Sequence, residues 1–422
     1  MRIVLLAFLL GSSAPSDMRE PELFFGADEH LERHALVRLV LSRNPSVEAA
    51  RQAWGAALQR EPQAEALDDP VVSYALAPLS IGSSDARYGQ ILQASQRLPF
   101  RGKLELRGAI ARAYAEAAHQ DYEAVRLRLR TTASLLFDDY FFVHRALEIN
   151  DEHLRLLEDW QRIATARYTA GRASQQDPIQ AEVEAARLMH RGVVLSTERK
   201  TIAAQLNALL HRRPAETLPP PPPELDLPAA EDLDLRELEE AAVSSRPELQ
   251  VVAATIEAEA TFVRLQEKEF YPDFEARTTF NSMWGVSQHR WTIGIAVTLP
   301  LQRDRLHAQV AEAEALVKRE KSRRLELEDR IRAEVYTAVE RLGEARHVVE
   351  LYRNRLLPAS GDQVQAALAG FETGQNSFLA LIEAERNQRT IRLEYEAALS
   401  DVYRRRAELD QAVGHPPLGD GT

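Results

Sequence analysis

Residues 290–300 alternate strictly between apolar and other side chains. Three further runs share this period of two, which is typical of a β-strand with one apolar and one polar side. Together they predict four strands, at about residues 70–79, 88–99, 272–282 and 290–300. The apolar positions are Val72, Tyr74, Leu76, Leu92, Ala94, Leu98, Phe274, Ala276, Phe280, Trp291, Ile293, Ile295, Val297 and Leu299, and Gln96 is an exception among them.

Two long stretches show the 3.5-residue spacing of a coiled-coil seam. The seam positions are Leu129, Ala133, Leu136, Tyr140, Val143 and Leu147 in the first half and Ile331, Val335, Ala338, Leu342, Ala345, Val349, Tyr352 and Leu356 in the second. They predict long helices at about 103–168 and 304–371, with further helices at about 32–63, 177–210, 235–268 and 377–412. A helix of roughly 65 residues is a rod of about 100 Å, because each residue rises 1.5 Å.

The apolar sides of the strands need a covering layer. The strands of an antiparallel sheet packed under helices also alternate between apolar and polar residues. However, four strands cannot cover helices of this length, and the coiled-coil spacing predicts that the helices pack against one another. Ten tilted residues cross the hydrocarbon of a bilayer. Phe270, Tyr271 and Trp291 stand at strand ends, where an interfacial belt of aromatic residues is expected. We therefore expect the apolar rows to face lipid.

A sheet in lipid must close on itself, because no edge can remain unpaired there. Four strands are too few to enclose a lumen, so several copies of the chain are expected to contribute strands. Two copies would give a plugged barrel of eight strands, and three would give twelve strands with room for a channel.

The chain repeats itself once. Four landmarks recur at offsets between 201 and 203 positions, among them Pro45 with Pro247 and Pro70 with Pro272. "LPFRGK" (98–103) recurs as "LPLQRD" (299–304), and "YTAGRASQQDPIQAE" (168–182) recurs as "FETGQNSFLALIEAE" (371–385). These offsets predict a first repeat at 15–217, an extended Pro-rich linker at 218–228, a second repeat at 229–412 and a flexible tail at 413–422.

The N-terminus has one Arg, an apolar run and a Ser-Ser-Ala sequence, so residues 1–14 are interpreted as a secretory signal peptide. The chain has no Cys and a net charge of −12, which excludes thiolate chemistry and gives no bulk attraction for nucleic acid. No apolar run reaches the length of a membrane-spanning helix. His30 and His34 are spaced to chelate a metal, but no third ligand is evident, and an exposed pair is preferred. No phosphate loop, nucleophile elbow or HExxH motif supports an enzyme.

With "RNP" and "SRPEL" early in the repeats and the two turn sequences, the chain resembles the TolC-like outer-membrane efflux factors over nearly its whole mature length. "SQRLPFRGKLELRG" (95–108) is most similar to the heavy-metal branch of CzcC/CusC-like proteins. The resemblance implies an α+β membrane protein, in which three chains form a twelve-stranded barrel in the outer membrane of a Gram-negative-type cell. A long α-helical coiled-coil barrel continues into the periplasm. A periplasmic adaptor and an inner-membrane pump, expected to be of the RND type, are the implied partners, and no cofactor is implied.

The turn sequences mark the periplasmic tip in this resemblance, which implies adaptor docking at Tyr168, Gly171, Phe371 and Gly374. Gly171 and Gly374 also suit the left-handed conformation that ends a helix. Ser174 or Asp177, and Asn376 or Ser377, are plausible caps of the helices that follow.

Acidic side chains often narrow the tip in this family. Here Glu383 is the first choice for such a constriction, with Asp177 and Glu385 as further choices; Ala380 stands where some relatives have Asp. A solvated helix face is the alternative for Glu383.

Two other functions remain open at this point: an outer-membrane duct for type I protein secretion, and a periplasmic coiled-coil scaffold without a channel. The segments at about 80–87 and 281–289 are expected to face the outside of the cell and to tolerate insertions.

Overall fold

A computed structural model of the chain describes residues 30–82, 84, 88–228 and 233–414. The predicted signal peptide and nearly all of the predicted tail lie outside the described residues. The first half contains α1 (Arg33–Arg43), α2 (Pro45–Leu58), α3 (Arg60–Glu65), β1 (Val71–Ala77), β2 (Gly89–Leu98), α4 (Lys103–Thr169) and α5 (Gln176–Leu209). The second contains α6 (Leu235–Ser245), α7 (Pro247–Lys268), β3 (Asp273–Asn281), β4 (Trp291–Thr298), α8 (Arg303–Leu351), α9 (Leu357–Thr373) and α10 (Phe378–Val413). Both halves therefore run from short helices through two strands to a long helical stretch and a final helix, although α3 has no counterpart in the second half and α8 and α9 together correspond to α4.

The first helix of each half is broken where the sequence predicted a continuous one, so that expectation is wrong. Asn44 and Arg246 are extended, with ψ angles of 123° and 121°, and Pro45 and Pro247 begin the next helices. Proline disfavours a helical conformation in the preceding residue, and it suits the first position of a new helix. Asn44 also caps α2, since its side chain accepts a hydrogen bond from the Ser46 amide at 2.9 Å.

The second long helix is helical throughout, but its hydrogen-bonding pattern changes along its length. A π-helical turn at Tyr352–Leu356 separates α8 from α9, and Pro358 follows in the first turn of α9. A π turn carries one extra residue, and it relieves the loss of the proline N–H and the crowding by its ring. In contrast, α4 runs for 67 residues without a break, about 100 Å.

The four strands form one antiparallel sheet in the order β1-β2-β3-β4. Directly paired residues of antiparallel strands have side chains on the same face. One row across the sheet is Val72–Ala94–Thr278–Ile293, and the next is Tyr74–Leu92–Phe280–Trp291. The predicted apolar rows thus share one face, which we call the apolar face. Gln90 and Gln96 interrupt it, and Leu299 lies just beyond the end of β4.

No helix among the described residues covers the apolar face. Ile293 and Ile295 are 91 % and 74 % exposed, and every residue of β4 is exposed. The opposite face carries the polar row Ser73–Gln93–Thr279–Thr292. The alternative of a sheet buried under the chain's own helices is therefore excluded.

The helices instead pack on one another, as the 3.5-residue spacing predicts. Ile331, Val335, Leu342 and Val349 of α8 are almost fully buried, in a cluster with residues of α6, α7 and α10. A second cluster joins α1, α4 and α5, and a third lies near the ends of α4 and α9. The linker at 218–228 contains neither helix nor strand. No helix among the described residues combines the length and the apolar character needed to cross a bilayer.

Candidate functional site

The two helix-to-helix turns, after α4 and after α9, form the far end of the helical part. After α4, Gly171 has a φ of 67°, in the left-handed region. Its amide donates to the Tyr168 carbonyl at 2.9 Å, and the Arg172 amide donates to the Arg167 carbonyl at 2.9 Å. This pair of bonds is the Schellman motif, which satisfies the last carbonyls of a helix.

The turn after α9 has the same motif. Gly374 has a φ of 76°, its amide donates to the Phe371 carbonyl at 3.1 Å, and the Gln375 amide donates to the Gly370 carbonyl at 2.8 Å. Both glycines thus take the left-handed conformation that the sequence predicted, and the two turns are structural equivalents.

Serine side chains stabilise the starts of the helices that follow. Ser174 accepts a hydrogen bond from the Gln176 amide at 3.1 Å, and Ser377 accepts one from the Ala380 amide at 3.3 Å. Ser377 is thus the N-cap of α10, as one of the two alternatives had it. The N-cap position of α5 is Gln175, and Ser174 accepts its hydrogen bond from one residue earlier, while Asp177 lies within the first turn.

The two aromatic residues at the turns are not equivalent. Tyr168 is 41 % exposed, whereas Phe371 is 6 % exposed and packs on Phe378 with ring centroids 5.3 Å apart. The Arg167 guanidinium lies 4.5 Å from the centre of the Phe371 ring and also donates to the Phe371 carbonyl at 2.8 Å. The prediction that Phe371 offers a docking surface is therefore wrong, because its ring fills the core between the turns.

The predicted constriction residues also separate. Glu383 is exposed and Asp177 is half-buried, so both can face a lumen. Glu385 is fully buried within one chain. The prediction for Glu385 is wrong, because α10 buries positions 381, 382, 384 and 385 together and leaves only position 383 of this turn facing out.

Glu385 instead belongs to a buried polar contact between α10 and α4. Its Oε1 lies 2.7 Å from Nδ1 of His153, which is also buried, and 3.8 Å from Nη1 of Arg389. Its Oε2 has no hydrogen-bond partner in the part of the chain that the structure describes. Sequence analysis missed this pair, since nothing near His153 in the sequence points to Glu385.

Glu184 of α5 is the centre of a neighbouring cluster. Its carboxylate accepts from Arg386 and lies 3.6 Å from Arg389 and 3.3 Å from Arg187. Burial alone would raise the pKa of Glu184, but the hydrogen bond and charge of Arg386, with the charges of Arg389 and Arg187, lower it overall. The carboxylate is therefore ionised at neutral pH, and it joins α5 to α10.

Further ion pairs connect α4 and α10, farther from the two turns than this cluster. Arg392 pairs with Glu152 at 2.8 Å, Arg145 with Glu396 at 3.0 Å, and Arg404 with Asp139 at 2.5 Å. We call these three pairs, together with the Glu184 and Glu385 contacts, the charged seam. One feature of the sequence does indicate these ion pairs. Arg386, Arg389 and Arg392 follow one another at three-residue intervals, which puts three cations on one side of a helix.

A buried lysine ties the sheet to the helices. Lys103, at the start of α4, is almost fully buried, and its Nζ lies 2.9 Å from Glu269 Oε2 and 2.9 Å from Asp273 Oδ1. Asp273 also accepts from the Phe100 amide at 2.9 Å. Lys103 therefore joins the start of α4 to the residue after α7 and to the first residue of β3.

Metal-binding groups are not a feature of the described part of the chain. No three His, Asp or Glu side chains there lie close enough to hold an ion. His30 and His34 are both exposed, at the beginning of the described residues.

Residues 238–415 match the family model described as outer membrane efflux protein. Compared by sequence with curated proteins, the chain matches none. Among solved structures, it is similar to the outer-membrane channel OprN, with a TM-score of 0.77 and 20 % identity, over 91 % of this chain and 90 % of that one. The matched family is one of channel proteins, not of enzymes.

Two further structures support the same fold. The channel protein CusC aligns with a TM-score of 0.78 and 17 % identity, over 91 % of this chain and 92 % of that one. The outer membrane protein VceC from Vibrio cholerae aligns with a TM-score of 0.76 and 17 % identity, over 91 % of this chain and 96 % of that one. The chain thus has the fold of these proteins, in which a helical barrel adjoins a β-barrel.

Proposed function

We propose that this chain is an outer-membrane efflux channel, and that three copies assemble into a twelve-stranded barrel continuous with a helical tunnel. The observation that carries the proposal is the uncovered apolar face of a sheet with two unpaired edges, β1 and β4. An apolar face of this extent requires lipid or a partner, and unpaired edges do not persist in lipid. Both needs are met if the sheet closes with its own copies.

The strand count supports this closure. The sheet has an even number of strands with alternating directions, so β4 of one copy is antiparallel to β1 of the next. A ring of any number of copies thus keeps antiparallel pairing throughout. Three copies give a barrel wide enough for a water-filled lumen, and two do not. The polar row Ser73–Gln93–Thr279–Thr292 then lines the lumen.

The helical end is proposed to meet a periplasmic adaptor, through which the channel is coupled to an inner-membrane pump of the RND type. Tyr168, Gly171 and Gly374 are exposed at the two turns and form the proposed docking surface. The equivalence of the two Schellman turns supports this assignment, because one kind of adaptor contact can then be made at both turns of each chain.

The proposed cargo is small toxic solutes, with heavy-metal cations as the specific case. The exposed carboxylate of Glu383 and the half-buried one of Asp177 support cation passage, since like charges from three copies would attract cations to the tip. The resemblance of residues 95–108 to the heavy-metal branch supports the same cargo. Deletion of the gene should then raise sensitivity to zinc, copper or cobalt. Unchanged sensitivity to all three, with raised sensitivity to detergents or drugs, would replace the metal cargo with organic solutes.

The assembly is tested with the purified mature chain. We expect it to require detergent, to sediment as three chains per particle after the bound detergent is subtracted, and to conduct ions in planar bilayers. A monomer that stays soluble without detergent would overturn the proposal. A soluble trimer without conductance would favour the periplasmic scaffold instead.

A further inference from the structure

Two loops lie at the end of the sheet opposite the helices. The segment after β1 exposes Leu79 and Ile81, and the loop between β3 and β4, residues 282–290, exposes Met283, Trp284 and Val286. We call residues 282–290 the β3–β4 loop. Leu79 is 95 % exposed, and the other four side chains are about half exposed. Five exposed apolar side chains thus lie at one end of the sheet, where their contact with water is unfavourable.

The β3–β4 loop leans over the polar face of the sheet. Gly89 pairs with Ala77, and both belong to the rows of the polar face, because the neighbouring pair Leu76–Gln90 belongs to the apolar face. A Cβ on Gly89 would lie 3.2 Å from the sulfur of Met283 and 2.9 Å from the Cβ of Ala77. The Met283 side chain therefore occupies the polar-face side of β2, and glycine at position 89 leaves room for it.

Hydrogen bonds hold the loop in this position. The Ser282 hydroxyl donates to the Tyr88 carbonyl at 2.7 Å and accepts from the Gln90 amide at 2.8 Å, which ties the loop to the start of β2. The Met283 amide donates to Oδ1 of Asn281 at 3.0 Å. Arg290 Nε donates to the Trp284 carbonyl at 3.2 Å, across the base of the loop. The loop thus has a defined shape, with the Met283 side chain on the polar-face side of the sheet and the Trp284 and Val286 side chains exposed.

The dimensions allow these loops to reach the axis of the proposed barrel. Twelve strands spaced about 4.8 Å apart and tilted by about 40° give a radius of about 12 Å. Half of a nine-residue loop spans at most about 15 Å when extended at about 3.4 Å per residue. The helical turn at Ser287–His289 shortens this backbone reach, and the side chains of Met283, Trp284 and Val286 add to it. Loops from three copies can therefore meet above the lumen.

We propose that the β3–β4 loops of three copies meet at the outer mouth of the lumen and form an apolar lid, in which Trp284 and Val286 contact a second copy of this chain. This inference rests on the proposed trimeric barrel. The lid would hold back solutes at the outer end, independently of the helical tip. Contrary to the expectation from the sequence, the lid predicts that this loop does not tolerate insertions, since an insertion would separate the meeting surfaces.

Tryptophan fluorescence of the full chain, reconstituted in vesicles of phosphatidylcholine, tests the lid. The chain has four Trp residues, so three variants retain only Trp284, only Trp291 or only Trp54, with Phe at the other three positions. Trp291 lies on the apolar face, and Trp54 lies on α2, away from the sheet. Each variant is titrated with acrylamide, a quencher in water, and is compared in vesicles with and without brominated acyl chains.

We expect Trp284 to be quenched several-fold less by acrylamide than free tryptophan, and to be unaffected by brominated lipid that quenches Trp291 strongly. Strong quenching of Trp284 by brominated lipid would overturn the lid in favour of a lipid contact. Quenching by acrylamide like that of free tryptophan would overturn it in favour of an open mouth. If Trp291 itself resists brominated lipid, as Trp54 should, the proposed barrel fails and not only the lid.

A second measurement uses the lack of cysteine in the chain. Val286→Cys should give disulfide-linked dimers on mild oxidation, because the loops meet. Ala215→Cys, at an exposed position of the segment after α5, should remain monomeric on a denaturing gel. If both variants remain monomeric while the native particle is trimeric, the loops do not meet and the lid is wrong.

Discussion

Arg386 on α10 donates a hydrogen bond to Glu184 on α5 across a sequence separation of 202 residues. Near the tip the two halves are related by an offset of 203 positions, because 168–182 recurs as 371–385. Glu184 therefore corresponds to Asn387, and Arg386 corresponds to Val183, so the two paired residues are one position apart in the repeat. The pair of opposite charges holds the halves together near the tip.

Glu184→Gln should destabilise the helical part, because the guanidinium groups of Arg386 and Arg389 would lose an ionised partner. A hydrogen bond to a charged group contributes about 2 kcal/mol, so a loss of this size in the free energy of unfolding is expected. The measurement is denaturant unfolding followed by circular dichroism in detergent. Glu182→Gln, an exposed position of the same helix, is the control. Equal stability of the two variants would mean that the Glu184 cluster does not stabilise the fold.

Glu383→Gln should lower the preference of the channel for cations, because the exposed carboxylate faces the solvent near the tip. We expect the cation-to-anion permeability ratio in planar bilayers to fall by about half. Glu385→Gln is the matched control, because its carboxylate is fully buried two residues away. If the permeability ratio changes with Glu385→Gln and not with Glu383→Gln, Glu383 does not form the constriction.

Asp138 makes the stability depend on pH. Burial raises the pKa of Asp138 to about 7, in spite of the opposing charge of Arg33, which pairs with it. A folded-state pKa above the unfolded value favours the folded state at low pH, and this contribution is lost as the pH rises through the folded value.

Relative to Asp138→Asn, the native chain should therefore lose about 2 kcal/mol of stability between pH 5 and pH 7, and little more above that. Thermal unfolding in detergent at several pH values measures the difference. Asp121→Asn, at an exposed position of the same helix, should leave the pH dependence unchanged. A native chain that gains stability over this range would show that Arg33 dominates and that the pKa of Asp138 is not raised.

A charge on the apolar face should prevent assembly in lipid. Ile295→Lys places an ammonium group where the proposal has hydrocarbon, and such a change costs about 2–4 kcal/mol near the middle of a bilayer. We expect the folded trimer to be lost in vesicles, and the measurement is the disappearance of the heat-resistant trimer band on gels. Ala296→Lys, the next residue on the polar face beside Glu275, should assemble normally. Failure of Ala296→Lys alone would reverse the assignment of the two faces.

The sheet and the long helices were predictable because each rests on a local period. The rows through Ile293 and Ile295 follow from alternation alone, and the burial of Ile331 and Val335 follows from the 3.5-residue spacing. The breaks before Pro45 and Pro247 were also encoded locally, but they fell inside runs with helical periodicity.

The roles of Glu385 and Phe371 were not predictable in the same way. Each lies on a helix that packs on several others, so its exposure depends on contacts with residues far away in the sequence, such as His153 and Arg167. Glu184 and Arg386 were missed for the same reason. Local sequence assigns a residue to a helix, but the partner of a charged side chain is set by how the helices pack.

Each half of this chain supplies one pair of strands. In the proposed assembly, a polypeptide of half the length would complete the same circumference with six subunits in place of three. Fusion of two such units into one gene would free them to differ. Glu184 and its counterpart Asn387 are a difference that a sixfold symmetric ancestor could not have had.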